Sequence, residues 1–439
     1  MKMRLLLIVL SAIAILGSCR KNDSVGGNNG STDEDILKDS TLILTRDLYL
    51  WNEQIPSDFN ARIYDGPSEI MDAIRQYSNE PGFNDPVDHY SFAMDQNEWD
   101  NLSKGIISDF GLNAFFLADN DLRVRLVEEA SPAGKAGIRR GWKFVKIAGS
   151  TNINSSNSDF LVQNIYQSAS TAFTFQKPDG STIDITLESK TYQEHPVILD
   201  SVYTAGSKKA GYIVFNSFLG DTTQVMNELT SVFNRFVAEN VTDVIVDLRY
   251  NGGGYVSVSE ELANFLVKPS VNGNIMMTHQ YNENYADLNE VTMFRKRGSL
   301  DVNNIYFVVT DNTASASELL INNLKPYMNV KLVGPEATYG KPVGFFPLPV
   351  GEWYIFPVSF RSTNGENQGN YFDGFAVDQQ VNDGLDKDWG DTSEAALASV
   401  LSYIGTGSFT NGGLNSILES GKVAENRKLN RSFKGAIAR

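Results

Sequence analysis

The chain has 439 residues, of which 41% are hydrophobic and 21% are charged, a composition typical of globular proteins and not of collagen, coiled coils or disordered chains. Its 37 basic and 53 acidic residues give a formal net charge of −16, which argues against a nucleic-acid binder, because such proteins need a basic surface. The single cysteine excludes an intrachain disulfide and a zinc site built from several cysteines.

The N-terminus has the features of an export signal. An apolar run from Leu5 to Leu16 has the length of a signal-peptide core and is too short to span a bilayer. The tetrapeptide Leu16-Gly17-Ser18-Cys19 resembles a bacterial lipobox, which implies that residues 1–18 are a signal peptide and that Cys19 is lipidated. We therefore expect a cell-envelope protein anchored to a bacterial membrane, facing the periplasm or the cell surface. The alternative is an unlipidated signal peptide with a chance cysteine. Residues 19–35, rich in Gly and Asn, predict a flexible tether.

Residues 36–102 predict a small helical region, with amphipathic helices over Ile36–Trp51 and Pro67–Tyr77. The residue pattern changes after this region. Apolar and charged side chains alternate over Leu122–Val127, which predicts a half-exposed strand.

Two consecutive segments follow that strand, Ser131-Pro132-Ala133-Gly134-Lys135-Ala136-Gly137-Ile138 and Gly141-Trp142-Lys143-Phe144-Val145-Lys146-Ile147. They resemble the signature of a PDZ domain, here covering residues 103–192. The resemblance implies that Gly111, Leu112 and Asn113 hold the C-terminal end of an extended peptide, added as a strand at a sheet edge. Trp142 and Asn113 depart from the usual Asp and Gly of that family. The alternative is a plain β-rich domain.

Strands and helices alternate from residue 193 to 405, which predicts an α/β layered core. The strands are predicted at Tyr212–Phe215, Val241–Leu248 and Ile305–Thr310, and the helices at Val225–Val237 and around Leu319–Ile321. Residues 406–439 are rich in Gly, Ser and Asn and then basic, so we expect a poorly ordered tail.

Three segments of this core could carry chemistry. Thr313-Ala314-Ser315-Ala316-Ser317-Glu318 lies at a strand-to-helix turn, where backbone N–H groups point outward, although Ser315 and Glu318 also fit a capping box. Asp247-Leu248-Arg249-Tyr250-Asn251-Gly252-Gly253-Gly254 could expose backbone amides as half of an oxyanion hole, or form only a flexible turn. Gly340-Lys341 does not belong to a P-loop, because the spacing from Gly334 is one residue too long and Pro342 follows.

Together the three segments resemble the C-terminal processing peptidases, also called tail-specific proteases, over roughly residues 40–400. The resemblance implies a multidomain α+β fold with a small N-terminal helical region, a PDZ-like β-rich domain and an α/β layered, crotonase-like ββα protease core. It also implies hydrolysis through a serine ester without a cofactor or a metal ion.

By the same resemblance, Ser315 is the nucleophile, Lys341 is the general base, and the backbone amides of Gly252 or Gly253 and of Ala316 are the oxyanion donors. A lysine acts as a base only when neutral, so burial must lower its pKa from about 10.4 toward 7–8. None of the chain's three histidines lies in a family motif, which disfavours Ser-His-Asp chemistry.

Two departures leave the group that orients Lys341 unassigned. Phe345 stands where many relatives have a Gln, and Pro326 stands where many have an Asp. Glu318 is a candidate substitute, although its capping role is the stronger expectation.

The expected partners are protein or peptide substrates with accessible C-termini and a membrane reached through the lipid anchor, and no nucleic acid. Two alternatives stay open: a catalytically silent, PDZ-type peptide-binding lipoprotein, and a small-molecule binder, since cores resembling this one carry retinoids in the vertebrate retina. The presence of both Ser315 and Lys341 favours the enzyme.

Overall fold

A computed structural model describes residues 31–410, 429 and 434–438. The expected signal peptide, the expected lipidation site at Cys19 and the tether up to residue 30 lie outside the described residues, as does most of the expected tail. Within the described ranges, every helix is too short or too polar to cross a membrane.

The N-terminal region consists of three helices and one strand. They are α1 (Asp33–Leu48), α2 (Pro67–Ile74), β1 (Phe92–Asp95) and α3 (Gln96–Ser103), with 3-10 turns at Asn52–Gln54 and Ala61–Ile63. Three acidic residues in the first turn stabilise the start of α1, which begins at Asp33, inside the predicted tether. Pro67 opens α2, and Asp95 caps α3 by accepting hydrogen bonds from two backbone N–H groups. β1 pairs antiparallel with Trp353–Phe356 of the core, so this region is a layer on the core.

The β-rich unit, which we define as residues 106–193, has its own hydrophobic centre built around Phe110, Phe116, Phe144, Phe173 and Phe175. Its elements are β2 (Ile106–Asp109), β3 (Leu112–Ala118), β4 (Asp121–Val127), α4 (Pro132–Lys135), β5 (Lys143–Ile147), α5 (Ser158–Val162), a π-turn (Gln163–Gln167), β6 (Ser170–Gln176), β7 (Thr182–Glu188) and β8 (Lys190–Gln193). Five strands form an antiparallel sheet in the order β3-β4-β5-β6-β7, and β2 pairs with β8. The strand β3 therefore lies at an edge of the larger sheet.

The remaining elements form the core. They are β9 (Val197–Ala205), β10 (Lys208–Phe215), α6 (Thr222–Ala238), β11 (Asp243–Asp247), β12 (Gly253–Tyr255), α7 (Val256–Leu266), β13 (Ile275–Gln280), β14 (Glu290–Met293), β15 (Asn304–Val308), α8 (Ala316–Leu324), β16 (Asn329–Gly334), β17 (Val343–Phe345), β18 (Leu348–Val350), β19 (Trp353–Phe356), β20 (Val358–Asn364), β21 (Gln379–Gln380), α9 (Ala395–Thr406) and β22 (Gly435–Ile437), with 3-10 turns at Pro269–Val271 and Glu283–Leu288.

A six-stranded sheet in the order β21-β16-β15-β11-β10-β9 is covered on both faces, as the fully buried strand β11 requires. Alternate residues of β11 pack in different clusters: Val244 and Val246 join the cluster that contains apolar residues of α6, α7 and α8, and Ile245 joins the cluster that contains α9. The neighbouring strands β10, β11, β15, β16 and β21 are parallel. A second six-stranded sheet has the strand order β12-β22-β17-β20-β13-β14.

Sheet topology explains why three distant segments meet. The segment that ends in Gly252 follows β11, the segment that contains Ser315 follows β15, and the segment that contains Lys341 follows β16. These strands are parallel neighbours, so their carboxyl ends lie at one edge of the sheet, where α/β proteins commonly place their sites.

The expectation of a poorly ordered tail is wrong for residues 435–437. They form β22 between β12 and β17, with Ala436 and Ile437 buried. The composition of the whole segment hides this short Gly-Ala-Ile stretch, whose small and apolar side chains fit between two strands. The pairing partners are remote in sequence, so the local pattern carries no signal of them.

Candidate active site

Ser315 occupies a strained backbone position at the start of α8. Its φ of 60° and ψ of −111° lie in a region that residues other than glycine rarely adopt, and such strain is concentrated at functional sites. The side chain is 1% exposed and lies between two fully buried alanines, Ala314 and Ala316. This sharp turn presents the Oγ atom at the end of the sheet.

The predicted capping box is present in part. Ser315 and Glu318 have the relative arrangement of such a box, and the backbone N–H of Ser315 donates to Glu318 Oε2 at 2.8 Å. The Oγ of Ser315 is buried, and within the described part of the chain it makes no hydrogen bond of standard geometry. The hydroxyl therefore faces the Glu318 N–H as in a capping box, but without a hydrogen bond of standard geometry to it.

The glycine segment approaches this turn closely. Gly253 has a φ of 107°, and a Cβ atom built on it would lie 3.0 Å from the backbone nitrogen of Ala316 and 2.4 Å from the Gly435 carbonyl oxygen. Ala316 is the first residue of α8, so its N–H has no acceptor within the helix. The N–H of Gly253 donates to Asn251 Oδ1 at 2.9 Å, and this leaves Gly252 as the better of the two predicted glycine donors.

Asn251 joins the glycine segment to the nucleophile turn, a role that the sequence did not assign. Its carbonyl oxygen accepts hydrogen bonds from Ala314 N–H at 3.1 Å and from Ser317 Oγ at 2.9 Å. Its side-chain amide donates to the Phe215 carbonyl at 2.9 Å. The only sequence signal was its place between the buried strand and the glycines.

Lys341 is 1% exposed, and burial lowers its pKa well below the usual value, although the carboxylates of Asp88 and Glu318 oppose this shift. Its Nζ donates to the Lys434 carbonyl at 2.9 Å and lies 3.6 Å from the centre of the Phe345 ring. Phe345, which stands in place of the expected orienting Gln, thus makes a cation–π contact with the amine.

The structure brings Ser315 and Lys341 together through their backbones. The N–H groups of both residues donate to the same oxygen, Glu318 Oε2, each at 2.8 Å. Their side chains are not hydrogen-bonded to each other, since the hydrogen bond of Lys341 Nζ goes to the Lys434 carbonyl. The predicted dyad therefore has neighbouring members whose side chains are not in catalytic contact.

A cavity of about 690 Å³ connects the predicted peptide-binding residues with the glycine segment. Gly111, Leu112 and Asn113 line one part of it, and Gly252 and Gly253 line another. The cavity therefore extends from the β-rich unit to the predicted oxyanion donors.

Four carboxyl groups line this cavity, those of Glu98, Asp109, Glu128 and Glu194. Burial, followed by neighbouring carboxylates, raises the pKa of Glu128 to about 8 and that of Glu194 to about 7. Asp109 Oδ1 accepts the N–H of Gly111 at 2.6 Å. The Gly111 amide expected to receive a peptide carboxylate is thus already engaged by a carboxylate of the chain.

The edge strand β3 is partly covered as well. Ala114 N–H donates to the hydroxyl of Tyr166 at 2.9 Å, and Tyr166 belongs to the π-turn after α5. A peptide that adds to β3 at this position has to displace the tyrosine hydroxyl.

Buried charges join the β-rich unit to the core. Arg140 donates to the Tyr250 hydroxyl at 2.9 Å and to Asp383 at 2.6 Å. Arg249, on the segment before the glycines, pairs with Asp383 at 2.9 Å and with Glu394 at 3.0 Å. The carboxylate of Asp383 is therefore shared between the two parts of the molecule.

The described residues contain no group of three or more His, Cys, Asp or Glu side chains arranged to hold a metal ion. Of the three histidines, His89 is exposed and His279 is buried with its Nδ1 2.8 Å from Ser362 Oγ, while burial lowers the pKa of His279 to about 4. The third, His195, donates its backbone N–H to Glu128 at 3.3 Å.

Comparison with known proteins identifies relatives that share these features. Residues 209–364 match the sequence profile of peptidase family S41. The carboxy-terminal processing protease CtpA of Bacillus subtilis is 25% identical over 295 residues, which is 66% of this chain and 58% of that protein. A Staphylococcus aureus protein described as a CtpA-like serine protease is 25% identical over 258 residues, 58% of this chain and 49% of its own length. The chain thus spans about half the length of the curated relatives it matches.

A crystal structure from Bacteroides fragilis, described as an S41 protease, superimposes with a TM-score of 0.69 at 20% identity and covers 87% of this chain and 99% of its own. This likeness shows a shared multidomain α+β fold. The matched profile spans β10 to β20 and so contains all three site segments. Residues 209–364 therefore resemble a peptidase family S41 domain.

Proposed function

We propose that this chain is a lipid-anchored serine endopeptidase of the C-terminal processing type, which cleaves unstructured protein or peptide tails. Ser315 Oγ attacks the carbonyl carbon of the scissile bond, and neutral Lys341 takes the hydroxyl proton. The C–N bond then breaks, Lys341 returns the proton to the leaving amine, and water hydrolyses the serine ester by the same route. Backbone N–H groups of Ala316 and Gly252 stabilise the oxyanion.

One observation carries this proposal: Ser315 has a strained backbone, and its buried hydroxyl makes no hydrogen bond of standard geometry beside the first N–H of α8, which has no acceptor within the helix. In a serine that serves only to cap the helix, Oγ accepts a hydrogen bond of good geometry from the N–H three residues on. A positive φ at a non-glycine residue costs of the order of 1–3 kcal/mol, which a purely structural turn has no need to bear.

The environment of Lys341 supports its role as the base. Burial lowers its pKa, and a neutral amine can accept a proton from serine. For catalysis, Nζ has to leave the Lys434 carbonyl and reach Ser315 Oγ.

The cavity supports the proposed substrate class. It runs from the β-rich unit to the glycine segment, so an extended chain held at the start of β3 has a path to Gly252 and Gly253, which adjoin the Ser315 turn. We assign the β-rich unit a PDZ-type role in selecting substrates.

The lipid anchor rests on the sequence around Cys19. Replacing Cys19 with alanine is expected to release the protein from the membrane fraction of a bacterial host. Retention of that variant in the membrane pellet contradicts the anchor.

A second candidate function is a peptide-binding lipoprotein without catalysis. The observation that favours it is the hydrogen bond from Lys341 Nζ to the Lys434 carbonyl, which keeps the amine from the serine hydroxyl. In that case the variants Ser315→Ala and Lys341→Arg bind peptides as the wild type does, and neither the wild type nor the variants cleave them.

The deciding experiment measures cleavage of an unstructured peptide library and labelling by a fluorophosphonate. Ser315→Ala is expected to lose both, and Lys341→Arg to lose cleavage, because arginine keeps the charge but does not deprotonate. Ser399→Ala is the matched control, a buried serine on α9 whose hydroxyl bonds the Thr410 carbonyl at 3.2 Å. Turnover by Ser315→Ala at the wild-type rate refutes the proposed mechanism.

A further inference from the structure

The carboxylate of Glu318 is fully buried and accepts four hydrogen bonds. Two of them reach Oε1 and two reach Oε2. The donors are Thr338 Oγ1 at 2.6 Å, Gly340 N–H at 2.7 Å, Ser315 N–H at 2.8 Å and Lys341 N–H at 2.8 Å. Only the bond from Ser315 belongs to a capping box, and the other three come from the segment that carries the lysine.

This distribution separates Glu318 from an ordinary helix cap. A cap satisfies orphan N–H groups at the start of its own helix. Glu318 instead uses one oxygen atom, Oε2, to hold the backbones of the nucleophile and of the base at once. The relative position of Ser315 and Lys341 is therefore set through a single carboxylate.

The donor set fits the ionised form of Glu318. All four partners donate, so a protonated carboxyl would have no acceptor for its own hydrogen among them. Burial raises the pKa of Glu318, and the four donors oppose that rise. The carboxylate also lies in the first turn of α8, where the helix dipole favours a negative charge.

We propose that Glu318 is the positioning residue of this site: its carboxylate fixes the Lys341 backbone against the Ser315 turn. This inference rests on the proposed peptidase function, because it assigns a role within that reaction. Glu318 does not touch the substrate and acts through the two residues that do.

The negative charge of Glu318 also influences the amine. The charged groups that act on Lys341 are Asp88 and Glu318, which raise its pKa, and Arg75 and Lys434, which lower it. Removing the charge at Glu318 therefore lowers the lysine pKa further. The pH at which the lysine becomes a base then moves down, and the rising limb of kcat/KM moves to lower pH.

Two variants separate geometry from charge. Glu318→Gln keeps the size but places an NH2 group against N–H donors, so both the positioning and the charge are lost. We expect kcat to fall about 100-fold with little change in KM, which is the loss typical of a misplaced catalytic group. We also expect the rising limb of the plot of kcat/KM against pH to move to lower pH. Glu318→Asp keeps the negative charge on a shorter side chain. We therefore expect kcat to fall while the pH dependence of kcat/KM stays unchanged.

Glu394→Gln is the matched control. Glu394 is also a buried carboxylate at a helix start, accepting the Leu397 N–H at 2.9 Å, but it pairs with Arg249 and makes no hydrogen bond to Ser315 or Lys341. This variant is expected to lower stability toward urea and to leave the pH profile of kcat/KM in place. It shows what the loss of a buried capping carboxylate does by itself.

The outcome separates this inference from the proposed function. If the wild type cleaves peptides, and if folded Glu318→Gln has the same kcat and the same pH dependence of kcat/KM as the wild type, Glu318 is only a helix cap and the inference is wrong. If the wild type cleaves nothing, the proposed function fails. The inference about Glu318 is then decided by NMR on protein labelled with 13C-lysine, which follows the titration of Lys341. The Lys341 signal is assigned by its loss in Lys341→Arg. A lysine titration that does not move in Glu318→Gln overturns the inference, and a downward shift retains it.

Discussion

The contact between Gly253 and the start of α8 gives a prediction whose size follows from the structure. In Gly253→Ala, the new Cβ meets the Gly435 carbonyl oxygen at 2.4 Å and the Ala316 nitrogen at 3.0 Å, and the backbone φ is 107°. The positive φ costs an alanine roughly 1–2 kcal/mol, and the overlap with backbone atoms adds about 1–3 kcal/mol. The free energy of unfolding is therefore expected to fall by about 2–5 kcal/mol.

Gly273→Ala isolates the first of these two contributions. Gly273 also has a positive φ, of 87°, but a Cβ built there has no heavy atom within 4 Å. Urea unfolding of this variant is expected to show a loss of roughly 1–2 kcal/mol, from the backbone conformation alone. The difference between the two variants measures the steric overlap.

Activity provides a second measurement on the same pair. A Cβ next to the Ala316 nitrogen covers the proposed oxyanion donor, so Gly253→Ala is expected to lose fluorophosphonate labelling while Gly273→Ala keeps it. Equal destabilisation of the two variants, together with equal labelling, refutes the close approach between the glycine segment and α8.

Three further predictions concern single contacts of the site. Phe345→Leu removes the ring that stabilises the charged amine of Lys341 and so lowers the pKa of this lysine. The rising limb of the plot of kcat/KM against pH is therefore expected to move to lower pH. An unchanged profile contradicts the cation–π contact. Tyr166→Phe removes the hydroxyl that accepts the Ala114 N–H on β3, so this N–H becomes available to a peptide. Peptide binding measured by fluorescence anisotropy is expected to tighten about 5-fold, which corresponds to one hydrogen bond of about 1 kcal/mol. Weaker binding counts against β3 as the edge that receives the peptide. Arg140→Met removes one of the two arginines that pair with Asp383. Urea unfolding is therefore expected to show a loss of about 1.5–3 kcal/mol, the contribution of a hydrogen bond to a charged group, and a wild-type midpoint contradicts the pairing.

The sequence predicted those parts of the fold that depend on local patterns. Apolar runs such as Val244-Ile245-Val246 predicted buried strands, and the motif around Ser315 predicted a strand-to-helix turn, because burial and turn chemistry appear directly in neighbouring residues. The order of the strands then brings the three site segments together, as the family resemblance implied.

The parts that were missed depend on contacts between residues far apart in the chain. Nothing near Ile437 indicates its pairing with Tyr255 and Phe345, and the acidic partner of Arg140 lies 243 residues away. Glu318 shows the same limit within the site, since its local pattern predicts a cap and its three further bonds come from a loop about twenty residues on.

The buried arginine at the boundary of the β-rich unit limits how the molecule can open. Swinging this unit away from the core breaks the hydrogen bonds from Arg140 to Asp383 and to the Tyr250 hydroxyl. Hydrogen bonds to charged groups contribute about 1.5–3 kcal/mol each, so opening costs about 3 kcal/mol or more. Since each 1.4 kcal/mol is a factor of ten, the open form is present in roughly one molecule in a hundred or fewer. The cavity that both parts of the molecule line is therefore formed before any ligand binds.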